Sequence, residues 1–299
     1  MSINSASDYF KTEFGSKIYR LSLAGGKTCP NRDGTCGIGG CIFCAEGSGS
    51  FNPHEVGVNA EIDAAKRLVE HKCRQGKFIA YFQSYTSTYG DVDLLYSRIG
   101  TALSRDDIVA AAVATRPDCL PDSVIKRLAE FNKIKPVYVE LGLQTASDKT
   151  AEIINRGYKT AVYTDACRRL RASGLNITAH VIIGLPNENE ADILDTARLV
   201  GATADGVKLQ LMHVLRGTRL YEMYERGDYE PLSLERYTEL LCAVIEHLPK
   251  RIVIHRITGD GDKKLLAAPL YSADKKRTLN YINSEFSKRN IVQGKYFNG

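Results

Sequence analysis

The chain has 299 residues, with 40 lysines and arginines against 35 aspartates and glutamates, a formal charge of +5. At 43% hydrophobic and 25% charged residues it is neither a disordered nor a collagen-like polymer. Its length suits two small domains, or one α/β barrel of roughly 200–250 residues with extensions. No segment approaches the roughly 18 consecutive apolar residues of a membrane span, so no transmembrane helix is expected. The start, MSINSASDYFKTEFGSKIYR, has no apolar signal core, and a cytoplasmic location is expected. In such a location eight cysteines point to metal binding or catalysis rather than to a disulfide scaffold. The net charge by itself names no partner.

Apolar β-branched runs alternate with helical patterns along the chain. Ile18 to Leu23 reads as a strand, followed by a Gly- and Cys-rich loop over 24–51. Ala60 to Cys73 is expected as a helix, with Ile62, Ala65, Leu68 and Val69 on one face. Lys77 to Phe82 is a buried strand, and Asp91 to Leu103 a helix. Ile108 to Ala114 is the next strand, ending at Thr115-Arg116-Pro117, and Pro121 opens a helix to Asn132. Pro136 to Leu143 is a strand, after which Ser147 caps a helix reaching Asn155. Thr164 is expected to cap a further helix that stops at Gly174. Ile177 to Ile183, Gly206 to Met212 and Arg251 to Ile257 are strands, separated by helices at Glu190 to Gly201 and Ser233 to Leu248. A basic helix runs from Asp274 to Arg289.

Six or more strand–helix repeats predict a parallel sheet covered by helices, either a barrel or an open doubly wound sheet. No Gly-x-Gly-x-x-Gly follows the first strand, so a dinucleotide fold lacks its usual support. In a barrel the site lies at the C-terminal strand ends. The chemically distinctive residues gather there: the cysteine loop, Gln83-Ser84-Tyr85, Arg116, Gln144, Gly184 and His213.

Cys29, Cys36, Cys41 and Cys44 lie within sixteen residues, among glycines that let the backbone turn tightly. Two chemistries compete. Four thiolates can hold a structural zinc, and three can hold a four-iron cluster with one iron open. Zinc usually takes two Cys-x-x-Cys knuckles, and only one, Cys41 with Cys44, is present. Cys73, Cys119, Cys167 and Cys242 read as isolated packing thiols.

The loop resembles that of the radical S-adenosylmethionine (SAM) superfamily: three cysteines after the first strand, with an aromatic residue, Phe43, just before the last. Its long first spacing is similar to the branch of the Elongator catalytic subunit, and CPNRDGT looks like the narrower YhcC/YtqA-like family. VELGLQTASD at 139–148, INRGY at 154–158 and HVIIGLPNE at 180–188 resemble that branch's motifs, the last with Asn187 where a second Gly is usual. The resemblance covers roughly residues 17 to 280. It implies a partial (β/α)6 TIM-like barrel over 17–257, an N-terminal extension over 1–16, and a C-terminal extension over 258–299. It implies a [4Fe-4S] cluster on Cys29, Cys41 and Cys44, with Cys36 incidental, and SAM cleaved reductively to a 5′-deoxyadenosyl radical.

By the same resemblance Phe43 lies near the adenine of SAM. YFQSYTSTY at 81–89 stands where the superfamily has Gly-Gly-Glu, so Ser84 and Tyr85 are candidates for the SAM amino group. Gln144 is a candidate for the ribose hydroxyls, and Arg156 for the methionyl carboxylate. Glu140, on the strand face of Gln144, either meets SAM or substrate or forms a buried structural pair. His180 is either a polar group near SAM or a satisfied core histidine. Lys208, Gln210 and His213 on the sixth strand are cavity candidates, and Arg116 a substrate candidate. Arg256, Thr258, Gly259 and Asp260, with LLAAP at 265–269, look like a C-terminal signature of the narrower family.

Lys275, Lys276, Arg277, Lys288, Arg289 and Lys295 are interleaved with Tyr271, Tyr281 and Tyr296, a composition that suits RNA as well as a solvated helix face. Some YtqA-like members, called MnmL, are implicated in making 5-methylaminomethyl uridine at the tRNA wobble position. The leading expectation is therefore a radical SAM enzyme acting on tRNA wobble uridine, between the carboxymethylaminomethyl and the aminomethyl or methylaminomethyl forms. An external one-electron reductant of flavodoxin or ferredoxin type is implied. The alternatives are a radical SAM enzyme on a small metabolite or peptide, and a zinc-stabilised RNA-binding protein.

Overall fold

The computed structural model describes residues 3–45, 57–69, 71, 76–259 and 261–297. Cys73, Asp260 and the end of the cysteine loop, 46–51, lie outside the described residues. The elements run α1 (Ala6–Phe14), β1 (Ile18–Leu23), α2 (Val58–Val69), β2 (Lys77–Phe82), α3 (Val92–Leu103), β3 (Ile108–Thr115), α4 (Asp122–Asn132) and β4 (Val137–Gln144). There follow α5 (Asp148–Ile153), α6 (Thr160–Ala172), β5 (Asn176–Ile183), α7 (Glu190–Thr203) and β6 (Gly206–Leu211). The chain ends with β7 (Val214–Leu215), α8 (Arg219–Glu225), α9 (Leu234–His247), β8 (Val253–Arg256), β9 (Leu266–Ala268) and α10 (Lys275–Lys288).

Among the described residues seven strands form one sheet in the order β1-β2-β3-β4-β5-β6-β8, and every pairing is parallel. Sequential order with helical crossovers is a TIM-like partial barrel, in which the strand read from sequence at Arg251 to Ile257 adds a seventh to the (β/α)6 unit. Side-chain alternation divides the core into two layers. Phe78, Ala80, Phe82, Val113, Val139, Leu141, Val181 and Leu209 face outward and pack with α2, α3, α4, α6, α7 and α9. Ile79, Tyr81, Ala110, Ala112, Ala114 and Tyr138 face inward. The three inward alanines of β3 leave the interior open above them.

α1 closes the bottom of this interior. Ser5 caps it through Asp8 N, and Phe10 is buried against Tyr138 and His255 with ring centroids 5.6 Å apart in each case. The backbone at Asn4 accepts from Ile254 N at 2.8 Å, tying the segment to β8.

One local boundary differs from the sequence reading by several residues. α6 begins at Thr160 rather than after Thr164, because the Asp148 carboxylate accepts from Thr160 N at 2.7 Å and satisfies the helix start. α2 ends at Val69. The short antiparallel pair β7–β9 and the helix α8 sit on the C-terminal side of β6 and wall the barrel mouth.

Candidate active site

A cavity of about 350 Å³ opens at the C-terminal strand ends. Of the residues expected from sequence, Cys29, Cys41, Cys44, Phe43, Tyr85, Arg116, Glu140, Gln144, Arg156, His180, Gln210, His213 and Gly259 line it. Ser84 and Lys208 do not.

The cysteine loop is held by its own backbone and by two distant elements. Arg32 N donates to Cys29 O at 2.8 Å, Cys36 N to Pro30 O at 2.8 Å, and Cys44 N to Cys41 O at 3.0 Å. Ile42 N donates to Ile154 O at 3.1 Å, and Leu220 N to Ile42 O at 2.9 Å. Asn155 Nδ2 and Arg219 Nη2 both reach Gly40 O, at 2.8 and 2.5 Å. The INRGY segment therefore serves as the seat of the loop. Cys36 is exposed and lines a separate surface hollow with Pro30, Tyr89 and Arg169. Cys119, Cys167 and Cys242 are buried, as packing thiols are.

Burial, with the Cys44 thiol close by, pushes the Cys41 thiol up to about 12. A bound metal reverses this, since a coordinating thiol is deprotonated outright. The surroundings fit thiolates: Asn31 Nδ2 lies 3.8 Å from Cys41 Sγ and Arg32 Nη1 3.6 Å from Cys44 Sγ, both as donors. Among the described residues no three His, Cys, Asp or Glu side chains close on a single ion. A four-iron cube is larger than an ion and takes thiolates that stand farther apart.

The floor is a buried charge cluster. Glu140, 1% exposed, accepts from Arg20, from Lys208 Nζ and from His180 Nε2, the last at 2.7 Å. Lys208 also donates to Tyr81 Oη at 3.0 Å, and Arg20 Nη2 lies 2.8 Å from His255 Nδ1. Burial alone would raise the Glu140 carboxyl, but Lys208 and Arg20 outweigh it and hold it well below the usual range. Burial pushes Lys208 down to about 7, and burial with Lys208 nearby lowers His180. Glu140 thus forms the structural ion pair that was one of its two expected readings, while its face also borders the cavity. Lys208 belongs to this floor but does not line the cavity surface. Arg20, Tyr81 and His255 were missed by sequence reasoning. The signal available was a charged or polar residue at an inward position of an otherwise apolar strand.

Two further expectations are corrected. The Ser84 hydroxyl accepts from Gly25 N at 2.8 Å and pins the turn after β1, away from the cavity surface. Arg156, 1% exposed, is committed to the backbone: Nη1 donates to Leu143 O and Thr145 O at 2.7 and 2.6 Å, Nε to Tyr158 O at 3.0 Å, and Nη2 to Thr160 Oγ1 at 3.1 Å. With Asp148 3.5 Å from Nη2, no fork remains for a methionyl carboxylate. Its work is to fix the end of β4, where Gln144 takes a left-handed φ of 61°.

Arg116 Nε and Nη2 grip Asp118 at 2.9 and 2.6 Å, and Nη1 donates to Arg156 O at 2.9 Å. Burial opposes its charge, but Asp118 holds the guanidinium above its usual range. Tyr158, also missed, stacks against both guanidinia, at 4.8 Å for Arg116 and 4.6 Å for Arg156. Tyr85 too has positive φ, 50°, so two backbone-strained residues border one cavity. Asn187, the replacement in the turn after β5, has a φ of 61°, a conformation asparagine tolerates.

The Radical SAM superfamily pattern matches residues 28–200, and the Radical_SAM C-terminal domain pattern matches residues 204–288. The chain belongs to the radical SAM superfamily. It is 40% identical to the YtqA protein of Bacillus subtilis over 292 residues, which cover 97% of this chain and 91% of that one. It is 28% identical over 191 residues to a tRNA uridine(34) acetyltransferase of Methanocaldococcus jannaschii, covering 62% of this chain and 34% of that one. These likenesses set it in the Elongator-like, YhcC/YtqA-like branch of the superfamily. The Elp3 structure of Methanocaldococcus infernus, with residues 1–46 deleted, shares its fold at a TM-score of 0.65 and 17% identity, over 80% of this chain and 62% of that one. Radical SAM enzymes use a [4Fe-4S] cluster and S-adenosylmethionine, the cofactors expected from the loop.

Proposed function

We propose that this radical SAM enzyme modifies wobble uridine of tRNA, between the carboxymethylaminomethyl and the aminomethyl or methylaminomethyl forms. The observation that carries the substrate is the likeness to a tRNA uridine(34) acetyltransferase across 62% of this chain. When bound, a cluster and SAM supply a 5′-deoxyadenosyl radical. Cys29, Cys41 and Cys44 would hold the cluster at one wall of the cavity. Phe43 offers an apolar face beside them for adenine, and Gln144 a side-chain amide for ribose. Tyr85 and His213 border the remaining space, with Arg116, held by Asp118, as a candidate to face the substrate. A radical attacks most nearby carbon–hydrogen bonds, so the residues that exclude water and fix the substrate decide the outcome. The ion-paired floor of Glu140, Lys208 and Arg20 gives that cavity a rigid base. Electrons would come from a flavodoxin- or ferredoxin-type protein.

The C-terminal extension contributes unequally to an RNA surface. Lys288, Arg289 and Lys295 pair with Glu285, Glu239 and Glu246, and Gln293 ties this end of the chain to the start of β8, away from the mouth. Tyr271 donates its hydroxyl to Leu232 O at 3.1 Å, and Tyr296 packs on His247. That leaves Lys276 and Arg277, at the mouth end of α10, as the RNA-facing candidates.

Nucleoside profiling of tRNA from a deletion strain tests the reading. Accumulation of the carboxymethylaminomethyl form, with loss of the later forms, is expected. An unchanged wobble-uridine profile transfers the chemistry to a small metabolite or peptide.

A further inference from the structure

The two residues after Cys29-Pro30 turn their side chains onto two different cysteines of the cluster loop. Asn31 Nδ2 donates to Cys41 Sγ at 3.8 Å and to Asn155 O at 2.6 Å. A backbone carbonyl only accepts, so the amide nitrogen must face it, and the orientation of Asn31 is fixed. The other end of the amide is buried without a hydrogen bond. Such a group is costly to keep, which singles out the donor end as the useful one. Arg32 Nη1 donates to Cys44 Sγ at 3.6 Å and to Cys44 O at 3.1 Å, placing a guanidinium beside that sulfur.

Glycines make the space for this arrangement. A Cβ on Gly37 would stand 2.3 Å from Asn31 Oδ1, and one on Gly157 would stand 2.7 Å from it. The glycine after Cys36 and the glycine of INRGY therefore do more than permit turns. They let an amide lie flat against the inner face of the loop.

We propose that Asn31 and Arg32 are positioning residues that tune the cluster electrostatically, each through one cysteine sulfur. Reduction adds negative charge to the cluster, and donors or cations at its sulfurs stabilise the reduced form more than the oxidised one. They raise the reduction potential, so the cluster accepts its electron from a less extreme donor. This rests on Cys29, Cys41 and Cys44 being the cluster ligands.

The test uses the full chain, reconstituted without oxygen, with iron and sulfide counted. The midpoint potential is read from the reduced-cluster EPR signal at a series of poised potentials. Asn31→Leu and Arg32→Gln should each move the midpoint to a more negative value at unchanged iron content, and the double variant should move it further. Gly37→Ala, which keeps Asn31 but displaces its amide, should shift it in the same direction by less. Full iron with an unmoved midpoint in Asn31→Leu and Arg32→Gln would overturn the proposal. Should Asn31→Leu fail to fold, Arg32→Gln and Gly37→Ala decide it alone, by the same criterion. Retention of iron by Cys29→Ala, Cys41→Ala and Cys44→Ala would instead overturn the ligand assignment.

Discussion

Glu140 is surrounded by three partners that carry or can carry positive charge, Arg20, Lys208 and His180. Its replacement by Gln leaves two of them buried without their anion, and the expected loss in urea unfolding is about 3–5 kcal/mol. The pH dependence has a definite sign. Glu140 sits below its ordinary 4.5, so its contribution is present above that value and is lost as pH falls. Lys208, brought from 10.5 down to about 7, is protonated in both states below about 7. Between those values only the unfolded chain binds the proton, so stability rises with pH from about 7 toward 10.5. Lys208→Met should flatten that rise, read as urea midpoints between pH 7 and 9. A wild-type profile that falls across this interval would contradict the assignment. Much at this scale was legible: the cysteines and Gln144 were visible as polar or sulfur residues at strand ends. Arg20 and His255 were not, because each looks like a single interruption in a strand, and only barrel closure brings them to Glu140. Arg156 misled for a related reason, since nothing in INRGY shows that Leu143 and Thr145 would offer it their carbonyls.

At the scale of elements, the strands were readable because both layers of this sheet are largely apolar, most plainly in IVAAAVAT of β3 and NITAHVII of β5. Helix starts were readable where a side-chain cap adjoins in sequence, as at Ser147 and Ser233. The start of α6 was not, because its satisfying carboxylate, Asp148, lies twelve residues away. Nor was α1 recognised as a plug: its apolar face is short, and its partners Tyr138 and His255 are distant in sequence. Phe10→Ala should cost about 3–5 kcal/mol in urea unfolding, as for a buried aromatic of a packed core. A loss under ~1 kcal/mol would mean that α1 is dispensable to the barrel. On α10, charge reversal at Lys276 and Arg277 should weaken tRNA binding and shallow its salt dependence by roughly 0.7–0.9 for each phosphate no longer neutralised. Reversal at Lys288 and Arg289 should leave both unchanged, as measured by filter binding. Equal effects from the two sets would place the RNA along the whole helix.

For the molecule as a whole, the fold directs the cysteine loop and most of the cavity candidates to one end. Seven parallel strands deliver their C-terminal ends to one mouth, α1 closes the other end, and α8 with β7 and β9 walls the mouth against the cysteine loop. The ionic floor separates an apolar lower core from a cavity of about 350 Å³, large enough for a nucleoside-sized ligand. The central claim is that this cavity couples SAM cleavage to a tRNA substrate. The most direct measurement is 5′-deoxyadenosine formation by the anaerobically reconstituted, reduced enzyme, with and without tRNA from a strain lacking the gene. The account predicts formation that depends on that tRNA and disappears in Cys41→Ala. Formation at the same rate whether or not tRNA is present would contradict it.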